Sequence, residues 1–103
     1  SFTFSQEEVQ QAVDCVKEEF TQFSGCELTN LWYDEEDVSF YRDRYVADKE
    51  IDPENVLILL SDFKVLKDSG DGVFTAGTVY RDWQWILTRE NEKEPWQVSD
   101  WGY

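Results

Sequence analysis

The sequence predicts an α+β domain in which one long N-terminal amphipathic helix packs on a curved antiparallel sheet of about four strands. Three observations point there. Val9, Ala12, Val13, Val16, Phe20 and Phe23 recur at helical spacing and form one apolar stripe. From Val56 onward the chain turns to β-branched and aromatic runs separated by turn residues. The length, 103 residues, is enough for one core and not for two, so residues 1–103 are read as a single domain.

The helix is expected from about Ser5 to Ser24. Ser5 reads as its N-cap and Glu8 completes a capping box. Phe4 and Val9 fit a hydrophobic staple, and Glu7 and Glu8 suit the positive end of the helix dipole. Gly25 is placed to end the helix in a left-handed conformation. The stripe occupies one side only, so the helix must lie on a sheet. A first strand follows from Cys26 to Tyr33, and then Asp34 to Asp37 read as a solvated acidic loop. The spacing of Phe40, Tyr41, Arg44 and Tyr45 within Val38 to Ala47 allows a short helix or an ordered loop. Asp52-Pro53 marks a break.

Val56 to Val65 is apolar at its start and alternates at its end, as suits a central strand with both faces covered at one end. Asp68 to Gly72 is a turn by composition. Thr78 to Arg89 is a long strand, with Trp83, Trp85 and Leu87 on one face and Gln84, Ile86 and Thr88 on the other. Trp96 to Trp101 is the last strand, with Trp96 and Val98 facing one way and Trp101 the other. A long helix across such a meander is the cystatin-like arrangement, related to the cone-shaped nuclear-transport-factor-2-like folds.

The net charge is −14, from 9 basic and 23 acidic residues. Nucleic acid is excluded as a partner because binding it depends on neutralising phosphates with Lys and Arg. An anionic membrane surface is disfavoured on the same ground. Aromatic residues make up 17% of the chain, which speaks against a disordered acidic tail. No apolar run reaches the roughly 20 residues of a membrane span. With no Met, the chain reads as a trimmed or mature form. A helix through Ser24 puts Cys15 about 13 Å along the axis from the helix end. A disulfide needs Cα atoms within about 7 Å, so Cys15 and Cys26 are expected as free thiols unless the helix ends early or the chain folds back sharply.

Five segments together resemble a family of small domains, without an assigned activity, that are often extracellular or lipoprotein-attached in Gram-positive gut bacteria. They are Phe-Ser-Gly-Cys-Glu-Leu at 23–28, Leu-Trp-Tyr-Asp-Glu at 31–35, Leu-Leu-Ser-Asp-Phe at 59–63, Trp-Gln-Trp-Ile-Leu-Thr-Arg at 83–89 and Asp-Trp-Gly-Tyr at 100–103. The resemblance covers nearly the whole chain. It implies a cystatin-like or transport-factor-like fold, export from the cell, and a lipid-anchored precursor. It implies no catalytic residues.

The binding candidates are Trp83, Trp85, Trp96, Asp100, Trp101 and Tyr103, on two strands that should pair, with Asp82 beside them. A Trp row with carboxylates can hold a cation or stack on a sugar. One sheet face must bury against the helix, so some of these rings are core and those on the opposite face are the candidates. Asp62 interrupts an apolar run: it is either a general base in a pocket or a carboxylate paired with Arg81 or Arg89. The chain has no His, which weakens the enzyme reading. The alternate positions after Asp68 are Gly70 and Gly72, which rules out an EF-hand loop. No metal or cofactor is implied. The expectation is a non-enzymatic extracellular domain that binds a peptide, a protein partner or a glycan. The alternatives are a small transport-factor-like enzyme using Asp62 or Asp100, and a structural accessory domain of a lipoprotein.

Overall fold

A computed structural model describes residues 3–102. The elements are α1 (Gln6–Phe20), β1 (Cys26–Trp32), α2 (Glu35–Lys49), a 3-10 turn (Pro53–Asn55), β2 (Val56–Val65), β3 (Val79–Thr88) and β4 (Gln97–Gly102). The four strands form one antiparallel sheet in the order β1-β2-β3-β4. The sheet is open, and the fold is α+β.

Helix α1 starts where its cap predicts. Ser5 Oγ accepts from the Glu8 amide at 3.1 Å, and Glu8 Oε1 accepts from the Ser5 amide at 2.9 Å. The helix ends at Phe20, short of Ser24. The Thr21 hydroxyl donates to the Glu18 carbonyl, and Phe23 sits in the turn that follows. Gly25 therefore serves the entry to β1 and not the helix end. Its φ is +79°, and a Cβ there would lie 2.7 Å from Lys67 Cγ, so both the conformation and the space demand glycine.

One face of the sheet and α1 enclose the main core. Ala12, Val16 and Phe20 pack there with Leu57, Leu59, Phe63, Trp85 and Leu87. The opposite face of β2 carries Ile58 and Leu60, which pack against Val38 of α2 with Trp32 and Ile86 at the margin. Strand β2 is thus buried on both sides at its start, as its apolar run requires.

Helix α2 corrects the expectation of a solvated loop over 34–37. Asp34 is its N-cap, accepting from the Glu36 amide at 3.1 Å, and Glu35, Glu36 and Asp37 form its first turn, where the helix dipole favours them. The helix buries only Val38 and Arg42, so it has no apolar stripe to betray it. Arg42 is held by Glu35 at 2.5 Å, and Glu35 also accepts from the Tyr33 hydroxyl at 2.5 Å. Burial first, and the Glu35 carboxylate second, push the Tyr33 phenol far above its ordinary value.

Three bulges shape the sheet. The pairings skip Thr29 between Leu28 and Asn30, Arg81 and Asp82 between Tyr80 and Trp83, and Ser99 between Val98 and Asp100. Asp62 joins the first two. Its carboxylate accepts from Asn30 Nδ2 and from the Asp82 amide, each at 3.1 Å, and its carbonyl accepts from the Thr29 hydroxyl at 3.0 Å. Asp82 adopts φ +57°, the left-handed geometry in which Asp is among the tolerated residues.

Candidate functional site

The third bulge decides the face of Trp101. Strict alternation from Trp96 and Val98 sends Trp101 to the opposite side. The extra residue, Ser99, shifts the parity, so that Val98 pairs with Leu87 and Trp101 with Trp85. Trp101 therefore joins the α1 face. Its ring centroid lies 5.9 Å from Trp85 and 5.7 Å from Phe23.

The other candidates separate. Trp85 is fully buried, and its indole N–H donates to Ser61 Oγ at 2.8 Å. Trp96 is also core: its indole donates to the Glu8 carbonyl at 3.1 Å. Trp83 is half-buried, edge-on to Phe63 and Tyr80 at 5.2 Å. Asp100 is exposed, and its carboxylate accepts from the Trp101 amide at 2.9 Å. Tyr103 lies outside the described residues. Only Trp101, 46% exposed, remains as a large open indole of this set.

Trp101 opens onto a cleft of about 540 Å³ between the α1–β1 turn and the β2–β3 loop. Phe23 and Phe74 form its aromatic wall, with centroids 5.6 Å apart. The loop that brings Phe74 there is held from within. Phe74 N–H donates to Ser69 Oγ at 2.9 Å, and Ser69 N–H donates to the Phe74 carbonyl at 2.9 Å. Asp71 accepts from the Val73 amide at 3.0 Å and Asp68 from the Ala76 amide at 2.8 Å. These carboxylates are directed at their own loop. Hydrogen bonds from the Ser69 hydroxyl and the Val73 amide hold Asp71 below the usual carboxylate range. The cleft thus has an aromatic wall on a fixed scaffold, with Lys67 and exposed Val73 at its rim. Such a surface offers ring faces to a ligand.

Phe23 and Phe74 were not singled out as binding residues. Phe23 reads as the last member of a helix stripe, and Phe74 is isolated in a Gly-rich turn. No signal in the sequence detaches Phe23 from the stripe, because Gly25, the expected helix stop, lies beyond it while the helix ends at Phe20.

Asp62 does not sit as a lone carboxylate. Besides its bulge contacts it faces Arg81 Nη1 at 3.8 Å. Arg89 is engaged elsewhere. It donates to Glu8 Oε2 and to the Glu54 carbonyl, each at 2.7 Å, and its guanidinium lies 4.3 Å from the Trp96 ring centre. Cys15 and Cys26 are free thiols, even though α1 ends early; burial raises both above their ordinary pKa.

The Glu8 carboxyl is held below its ordinary value of 4.5, chiefly by the Ser5 amide, with desolvation opposing and Arg89 adding to the lowering. A carboxyl with a depressed folded pKa binds its proton more readily when unfolded. Its stabilisation is therefore complete above pH 4.5 and fades as pH falls through the lower folded value. Chemical denaturation of the parent and of Glu8→Gln across pH 3 to 7 is expected to converge at the acid end and to separate above about 4.5. Parallel curves would rule this out.

The chain matches no family model, no curated protein and no solved structure. Among the described residues, no helix is long and apolar enough to cross a membrane.

Proposed function

We propose that the protein is a non-catalytic binding module on a cystatin-like plan, acting outside the cytoplasm, and that the cleft of Phe23, Phe74 and Trp101 receives its ligand. The ligand classes that fit are a peptide, a segment of a partner protein, or a glycan, each of which can lay an apolar or CH-rich face on an indole. The observation that carries this reading is the indole of Trp101. It is left open at 46% exposure although Phe23 and Trp85 back it. A half-open Trp packed on other rings already has part of its surface held in place, which is the usual character of an interface anchor. The extracellular setting, with a lipid-anchored precursor, rests on the sequence resemblance.

The test is a screen of peptide and glycan arrays with the parent chain, followed by titration of any hit against Trp101→Ala. A loss of about 30-fold in affinity is expected, the scale of an anchor worth about 2 kcal/mol. Circular dichroism is expected to show Trp101→Ala folded. A hit whose affinity ignores Trp101, or turnover of a small molecule by a chain that binds none of the arrays, would overturn the reading.

A further inference from the structure

An extended peptide is poorly served beside Trp101. Such a ligand draws its main-chain hydrogen bonds from an exposed sheet edge, and here that edge is β4. The Trp101 amide is already taken, donating to the Asp100 carboxylate at 2.9 Å. The pairing with β3 also changes register at Ser99, just before Trp101, and β4 ends at Gly102. A strand laid against this margin finds no unbroken row of donors and acceptors next to the indole.

The lining of the cleft is of two kinds. Phe23, Phe74 and Trp101 supply ring faces, and Lys67, Asp68 and Asp71 supply charged hydrogen-bonding groups beside them. The loop sets both carboxylates in place: Asp68 Oδ1 accepts from the Ala76 amide at 2.8 Å, and Asp71 Oδ1 from the Val73 amide at 3.0 Å. A carboxylate has several lone-pair sites on its two oxygens, so one oxygen committed to the loop leaves capacity on the other. The Lys67 stem runs past Gly25, and its ammonium brings only donors. A wholly apolar ligand strips water from these groups and returns no hydrogen bond. Both signs of charge line the cleft, and the chain as a whole, at −14, repels an anion.

The matching ligand has an apolar face, a rim of groups that both donate and accept, and no net charge. A pyranose is such a molecule. Its C–H face lies on an indole, and each hydroxyl donates to a carboxylate or accepts from an ammonium. The volume of about 540 Å³ falls within the range of sites for small ligands. Resting on the reading of the Trp101 cleft as the binding site, we propose that its ligand is an uncharged saccharide. One sugar ring stacks on the Trp101 indole, and its hydroxyls are held by Lys67, Asp68 and Asp71.

The test is an amide- and indole-resolved NMR titration of the whole chain. The probes are cellotriose, maltotriose, laminaritriose, mannotriose and triacetylchitotriose, with trigalacturonate as the anionic sugar and an acetylated, amidated hexapeptide of Gly, Ser, Leu and Phe. At least one uncharged sugar, at up to about 10 mM, is expected to give saturable shifts at the Trp101 indole N–H and at the main chain of Lys67, Gly70 and Phe74, unaltered as salt is raised. Trigalacturonate and the peptide are expected to give none. Lys67→Met keeps the stem along Gly25, and Asp68→Asn keeps an acceptor for the Ala76 amide; each is expected to weaken sugar binding about tenfold. Glu27→Gln, on β1, is expected to leave it unchanged. Trigalacturonate binding as tightly, or affinity that ignores Lys67→Met and Asp68→Asn, would overturn the proposal. Peptide binding at Trp101 without a response to any sugar would overturn the saccharide and keep the cleft as the binding site. Sugar shifts that avoid Trp101 would overturn both. Silence from every probe would overturn the saccharide, and the array screen then decides the cleft on its own.

Discussion

Replacing Arg89 with Ala is expected to cost about 3 kcal/mol of folding stability, at the lower edge of the range for breaking a buried ion pair. The lower edge applies because Glu8, 30% exposed, can regain water when its partner leaves. Three other losses remain. The Glu54 carbonyl loses its donor, the Trp96 ring loses the guanidinium packed on it, and the space of a side chain only 3% exposed is left empty. Together these contacts fasten the start of α1, the 3-10 turn and the β3–β4 junction to one another. A typical domain has only about 5–15 kcal/mol in total, so this is a large fraction. Arg89→Lys is expected to recover little, because an ammonium cannot lie flat on the indole while serving Glu8 and Glu54. Urea unfolding checks both: a midpoint for Arg89→Ala within 1 kcal/mol of the parent would show that the hub is dispensable.

Trp85→Ala is expected to cost more, about 3–5 kcal/mol, as for other large aromatic truncations in a core. The indole is fully buried and packs against Phe20 at 6.1 Å and Phe23 at 5.3 Å. Its N–H donates to Ser61 Oγ, which in turn donates to the Trp83 carbonyl at 3.2 Å, so truncation also leaves a buried hydroxyl without one partner. Trp85→Phe keeps most of the volume and isolates that hydrogen bond, at about 1–2 kcal/mol. The pair of variants is read by denaturant titration. Equal losses would mean that volume contributes nothing, contrary to the packing described. Because Trp85 backs Trp101, the Ala variant is also expected to lose ligand affinity at temperatures where it stays folded, and Trp85→Phe to retain it.

The parts of this fold that follow from near neighbours in sequence are legible there. Ser5 and Glu8 find each other across one helical turn, and Val56 to Val65 is apolar enough to demand cover on both faces. Helix α2 is legible only as one of two options over Val38 to Ala47, and its first turn at 35–37 is missed, because a helix that buries one valine and one ion-paired arginine leaves almost no periodic trace. The face of Trp101 is not legible either. It depends on a bulge at Ser99, and a single inserted residue reverses every side chain beyond it. Among the candidate residues, Trp101 was within reach as a type and Trp85 and Trp96 belonged to the core alternative. The partners of Trp101 were out of reach, since Phe23 and Phe74 are 51 positions apart and meet only when a helix end and a loop tip converge.

The bulges at Thr29 and Ser99 fall on β1 and β4, which are the two outermost strands. A second chain adding to either margin needs an unbroken row of amides and carbonyls at regular spacing, and each row is interrupted near its middle. The same residues that bend the sheet thus deny a growing fibril its template. In a protein with 17% aromatic residues and two edge strands, mutual repulsion between copies carrying −14 each supplies the rest of that protection.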